Sequence, residues 1–223
     1  AYSSPDEVLQ TAIAQALFPD NTYSKNSGGD PDHIPELTYE HYLDFYHKYY
    51  HPSNSYIYLY GDMDVKERLE WMDRAYLSAY ESMEIDSNIP MQKPFDAMKF
   101  VETTFPITDD DPEENNTYLS YNMVIADVLD PTLYQAFTVL DYVLVSAPGA
   151  PVRQALIDAG IGQDVYGSYE NEMLQPFFSI VAKNANKGDK DRFVRIIEDT
   201  LQNLVENGLN KDSLLAGINS EEF

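Results

Sequence analysis

Apolar positions along the chain fall into short stripes, separated by breaks rich in proline and glycine. Ser4, Pro5, Asp6 and Glu7 make a helix-start pattern of the capping-box kind, with proline at the first helical position. Val8, Leu9, Ile13, Ala16 and Leu17 follow at helical spacing, which predicts a helix to about Phe18. "PDNTYSKNSGGDPDHIPE" then carries three prolines and two glycines, so it cannot sustain a helix or a central strand and reads as an ordered loop. Thr38 is a good N-cap for "YEHYLDFYHKYY", a helix that Pro52 ends. "NSYIYLYGD" alternates strictly and closes on Gly61, the pattern of a half-buried strand. Asp64 caps a third helix, whose Val65, Leu69, Met72, Tyr76 and Ala79 or Tyr80 share one stripe. "IDSNIPMQKPF", from about 85 to 95, has two prolines and no period, and this marks a domain boundary.

Beyond that boundary the pattern predicts a strand over 98–105, an acidic turn "TDDDPEEN" and a strand over 116–125. Helices follow over 131–146, with Pro131 near its first position, and over 150–159, closed by Gly160. Strands over 163–170 and 176–184 precede a helix from about Asp189 to Asn207, with Gly208 just past its end, and 210–223 begin a last helix. The order strand, strand, helix, helix occurs twice. An antiparallel or mixed sheet with helices layered on one face, an α+β fold, is therefore expected.

Composition narrows the partners. The 223 residues can bury a substantial core, and they hold 14 Lys and Arg against 38 Asp and Glu, a formal charge of -24. Such a field repels phosphate backbones and anionic lipid, which argues against nucleic acid and membrane surfaces. It would draw in basic peptides or divalent cations, although plain solubility, or adaptation to salt, is the simpler account of the charge. The absence of cysteine removes disulfides, thiolate metal sites and cysteine nucleophiles. No apolar run reaches membrane-spanning length. The chain opens directly on a helix signal and stops inside another, so a longer protein is expected around it.

His47 and His51, four apart, raise the question of a helical zinc pair. A hydrolytic zinc needs three N or O ligands, an open position and a base nearby, whereas "HKYYH" supplies two ligands and no glutamate between them. His51 also precedes Pro52, which pushes it out of helical geometry. His33 lies in the loop between prolines, and His41 sits on the polar side of its helix. There is no G-x-S-x-G elbow, the glycine pairs lack the context of a phosphate cradle, and "DDDPEE" (109–114) reads as a solvated turn. No catalytic or metal-ligating residue is assigned on this basis, and the substrate-binding residues stay unknown.

The segments "NTY", "NSGGDP", "IPELTYE", "YYHPSN" and "YGD", in that order between residues 16 and 64, resemble the presequence-protease branch of the pitrilysin or insulinase-type zinc metallopeptidases. Residues 95–223 resemble, in topology, the second domain of the same proteases. The resemblance implies that residues 1–85 are the back end of the first, catalytic-type domain without its zinc motif, 86–95 a linker, and 96–223 the second, non-catalytic domain. It implies a parent that binds zinc through H-x-x-E-H and a downstream glutamate, none of which is in this chain, and that degrades unfolded oligopeptides in a closed chamber. The chain would then bind no zinc of its own and contribute chamber wall. Its partners would be the rest of its polypeptide and unfolded, basic peptides, and the piece alone could dimerise. A bacterial cytoplasm, or an organellar matrix in a eukaryote, would be the compartment. A catalytically silent scaffold or peptide-binding domain of the same family is the alternative.

Overall fold

A computed structural model describes residues 4–221. The described chain forms two compact units. One holds residues up to Ser24 together with those from Met91 onward, and the other runs Lys25–Pro90. The chain thus leaves the first unit after Ser24 and re-enters it at Met91.

The first unit is built on a three-stranded sheet of β1 (Thr117–Val124), β2 (Asp164–Glu170) and β3 (Phe177–Ala185), in the order β1-β3-β2. Both pairings are antiparallel: Tyr121 lies opposite Ile180 in β3, and Gly167 lies on the other side of the same residue. β3 is central and almost wholly buried, consistent with its near-continuous apolar run "FFSIVA". Because side chains alternate across a strand, Phe178, Ile180 and Ala182 point one way and Phe177, Ser179 and Val181 the other. The first set joins a core with Val152 and Leu156 of α5 (Pro151–Asp158) and with Phe193 and Ile197 of α6 (Lys190–Asn207). On the opposite face Phe177 meets Ile13, Leu17 and Phe18 at the end of α1 (Pro5–Leu17). The sheet is therefore antiparallel throughout, with helices on both faces rather than one.

Proline opens α1, α4 (Pro131–Asp141) and α5 at a position whose N–H has no helical partner. Asp130 caps α4 by accepting from the Thr132 and Leu133 N–H groups. Ser4 has the extended backbone of an N-cap, but its side chain makes no capping bond, so that part of the expected pattern is absent. The helix expected over 131–146 changes type within its length: Tyr142–Ser146 form a π turn, closed by the Ala147 N–H on the Tyr142 carbonyl. The last helix, α7, spans Lys211–Glu221, and the two residues expected to extend it lie outside the described part.

The second unit contains α2 (Tyr39–Tyr49) and α3 (Val65–Ala75), capped by the Thr38 hydroxyl and the Asp64 carboxylate as their residue types require. The strands expected at 54–61 and 98–105 are corrected by the structure. Among the described residues neither segment has a ladder partner. Alternation records which side chains would face a core, but a strand also needs a neighbour to receive its N–H and C=O groups.

Candidate functional site

Three of the four histidines have local side-chain partners. His51 has left the helix (φ -115°, ψ 145°), as its place before Pro52 demands, and its Nδ1 accepts the Ser53 N–H at 3.1 Å. Its ring meets that of Tyr80 edge-on at 5.2 Å, while His47 lies edge-on to Tyr46 at 5.8 Å. The His33 Nδ1 pairs with Glu36 Oε2 at 3.1 Å on an exposed turn, and His41 is exposed. Among the described residues no group of three or more His, Asp or Glu stands close enough to hold a metal ion. In "DDDPEE", Asp111 accepts from the N–H and hydroxyl of Thr108, and the backbone bond first, then the hydroxyl, hold its carboxyl below the usual range. It works as a turn.

The polar groups that tertiary structure does gather lie around the sheet. Lys183 Nζ pairs with Asp6 of α1 at 2.5 Å, and stands 5.2 Å from the Tyr166 ring centroid and 5.4 Å from that of Tyr118. The bond to Asp6 raises the lysine pKa above its ordinary value, so this amine is a protonated tether between α1 and the sheet, not a nucleophile. Further along β3, Asn122 Oδ1 accepts the hydroxyls of both Ser179 (2.7 Å) and Ser120 (2.8 Å). Asp141, at the start of the π turn, receives the Ser146 hydroxyl on Oδ2, while its buried Oδ1 has no hydrogen-bond partner. Burial raises its pKa, and the Ser146 bond only partly opposes this. An open groove of about 430 Å³, lined by Val143, Gly149, Pro151, Leu204, Leu209 and Ser213 among others, has no titratable side chain in its lining. Spacing along the chain could not reveal the Lys183–Asp6 and Asn122–Ser179 pairings, because their members come from separate elements.

The second unit stands apart in its burial. No residue from 25 to 90 is buried. On the extended segment, Tyr58 and Tyr60 are each 85% exposed with rings stacked at 6.5 Å, and Ile57 and Leu59 on the other face are also exposed. Tyr39, Tyr42, Phe45 and Tyr46 of α2, and Val65 and Leu69 of α3, are likewise exposed.

The family described as the peptidase M16 inactive domain matches residues 36–220, most of the chain. The chain belongs to the peptidase M16 family, the pitrilysin/insulinase type. Within M16 it is 46% identical over its whole length to Protein HypA of Clostridium perfringens, and 35% identical to the chloroplastic/mitochondrial presequence protease 1 of Arabidopsis thaliana. It covers 23% of the first and 21% of the second, so it spans about a fifth of the length of these curated relatives. A crystal structure of a peptidase M16 inactive domain from Pseudomonas fluorescens superposes with a TM-score of 0.69 at 17% identity, covering 99% of this chain and 51% of that one. That likeness shows the shared α+β fold. The M16 chain is thus similar to peptidase-like proteins through a domain whose family description is inactive.

Proposed function

We propose that this chain is the non-catalytic, wall-forming part of a larger zinc-dependent peptidase that degrades unfolded oligopeptides within a closed chamber. The observation that carries this reading is the second unit. Its helices are capped and its extended segment alternates, yet from residue 25 to residue 90 no residue is fully buried. Secondary structure of that kind is stable only when its apolar faces are covered. The relatives supply a source for the cover, since about four-fifths of their length lies outside the region matched. Residues 1–85 then close the first, catalytic-type domain, 86–95 link, and 96–223 form the second domain, as the resemblance implies.

Among the described residues no three His, Asp or Glu side chains gather, and His33, His47 and His51 serve a turn and ring contacts, which supports the reading that zinc in the parent would be held elsewhere. Peptide-bond hydrolysis therefore belongs to groups elsewhere in the parent. The contribution of this chain is shape and field: a formal charge of -24 attracts cationic, unfolded peptides. Relatives named for chloroplasts, mitochondria and bacteria favour an organellar matrix or a bacterial cytoplasm as the setting.

The description of the matched family as inactive favours a second reading, a catalytically silent scaffold or peptide-binding protein. One experiment separates them. The full-length parent, purified with zinc, is offered a cationic unfolded peptide, with this 223-residue chain tested in parallel. Chelator-sensitive cleavage by the parent, and none by the chain, is the expected result. A parent that binds the peptide without cleaving it would establish the scaffold instead.

A further inference from the structure

Both crossings between the two units lie near one turn of the sheet. Residues 171–176 join β2 to β3, and this turn is itself anchored: the Val128 N–H donates to the Leu174 carbonyl (2.9 Å) and the Ile125 N–H to the Pro176 carbonyl (2.8 Å). On the outgoing side the Leu174 N–H donates to the hydroxyl of Tyr23, two residues before the chain leaves this unit at Lys25. On the returning side Gln92, the second residue after re-entry, is gripped by Gln175. The Gln92 N–H donates to Gln175 Oε1 (2.5 Å), and Gln175 Nε2 donates back to the Gln92 carbonyl (3.1 Å). The two sides are also tied to each other, since the Gln92 side chain donates from Nε2 to Asp20 Oδ2 (2.7 Å) and accepts the Asp20 N–H on Oε1 (3.0 Å).

The partners are separated by 72, 83 and 151 positions in sequence, so these bonds are made only in the assembled fold. Gln92 and Gln175 are 6% and 5% exposed, and buried amides without partners are costly. Here the Gln175 amide bonds the backbone of Gln92 as a neighbouring strand would, in a place where 91–107 has no ladder of its own. This stretch reads from sequence as a linker, yet it is pinned.

We propose that Gln175, Gln92, Asp20 and Tyr23 form a fastening that holds the outgoing and returning crossings at one post, so that the 66-residue excursion Lys25–Pro90 is anchored at both ends. Its value in a chamber wall rests on the reading above. A wall whose two crossings could part would have no fixed base in this unit, and the fastening keeps the two strands of chain together there. These are positioning residues.

Amide hydrogen exchange on the 223-residue chain tests this without any activity. Gln175→Met keeps the side-chain volume and removes both bonds to the Gln92 backbone. It is expected to speed exchange across 88–96 and at Leu174 by roughly tenfold, with amides 178–182 of β3 unchanged. Gln175→Glu keeps the acceptor for the Gln92 N–H and loses the donor, and should give an intermediate acceleration. Unchanged exchange over 88–96 in Gln175→Met would overturn the fastening. So would uniform acceleration that includes β3, because Gln175 would then be an ordinary core residue. A parent that cleaves no peptide ends the peptidase reading and leaves this exchange pattern standing, so the two failures are told apart.

Discussion

Asp141 carries an ionisable oxygen where ionisation is costly. Its carboxyl pKa is raised by burial, so the charged form is penalised in the folded state relative to the unfolded chain. For an acid raised in this way, the penalty is absent when both states are protonated, grows as pH rises past the ordinary carboxylate pKa of the unfolded chain, and levels off above the raised folded pKa. Asp141→Asn removes the charge and retains an amide oxygen that can accept the Ser146 hydroxyl. We expect it to stabilise the protein at neutral pH by about 1 kcal/mol, the low end for relieving a buried unpartnered oxygen, since the carboxyl is only partly enclosed. The gain should fade as pH falls through the carboxylate range, which thermal melts of the two proteins from pH 7 to about pH 4 would check. A variant no more stable than the parent sequence at pH 7 would mean that Oδ1 is solvated after all. Nothing in the primary sequence singles Asp141 out from the 37 other acidic residues, because its character comes from Gly167, Val145 and Ser146 packed around it.

At the level of elements, the sheet hangs on β3. Ile180 is fully buried between β1 and β2, and Ile180→Ala should cost about 2–5 kcal/mol, read as a lower denaturation midpoint. Gly162 enters β2 at φ +75°, and a Cβ there would lie 2.9 Å from the Lys183 carbonyl oxygen. Gly162→Ala combines that clash with left-handed strain and should cost about 1–3 kcal/mol by the same measurement. Most elements were legible beforehand: α1, α2, β1, β2, β3, α5 and α6 lie within a residue or two of the expected bounds, because caps, prolines and periodicity act within a few residues of themselves, whereas α3 stops at Ala75, short of the stripe expected to reach Ala79 or Tyr80. The two expected strands without ladders show where that reasoning ends. "SYIYLYGD" has the side-chain pattern of a strand, but its hydrogen bonds depend on a neighbour that no local pattern names.

For the whole molecule, the exposed aromatic surface of Lys25–Pro90 is expected to make the isolated chain self-associate. Light scattering should report a mass that rises with concentration, and a monodisperse monomer would contradict this. In the full-length parent, the acidic surplus should make kcat/KM for a cationic peptide fall as salt is raised over roughly 0.05–0.5 M, while a neutral peptide stays unaffected. A flat response for both would separate the charge from substrate capture and leave it to solubility.

By itself the sequence settled the α+β class, the family likeness in residues 16–64, the helix caps and the proline that turns His51 out of its helix. Those properties belong to neighbours in the chain, which act through backbone dihedrals and side-chain period. Only tertiary structure decided that α1 covers the second face of the sheet, that Lys183 is tethered to Asp6 and that Gln175 grips Gln92. Contacts between residues 83 positions apart, such as Gln175 and Gln92, form only when the entropy of closing the intervening chain is offset by burial of the whole core, and no local pattern encodes that balance.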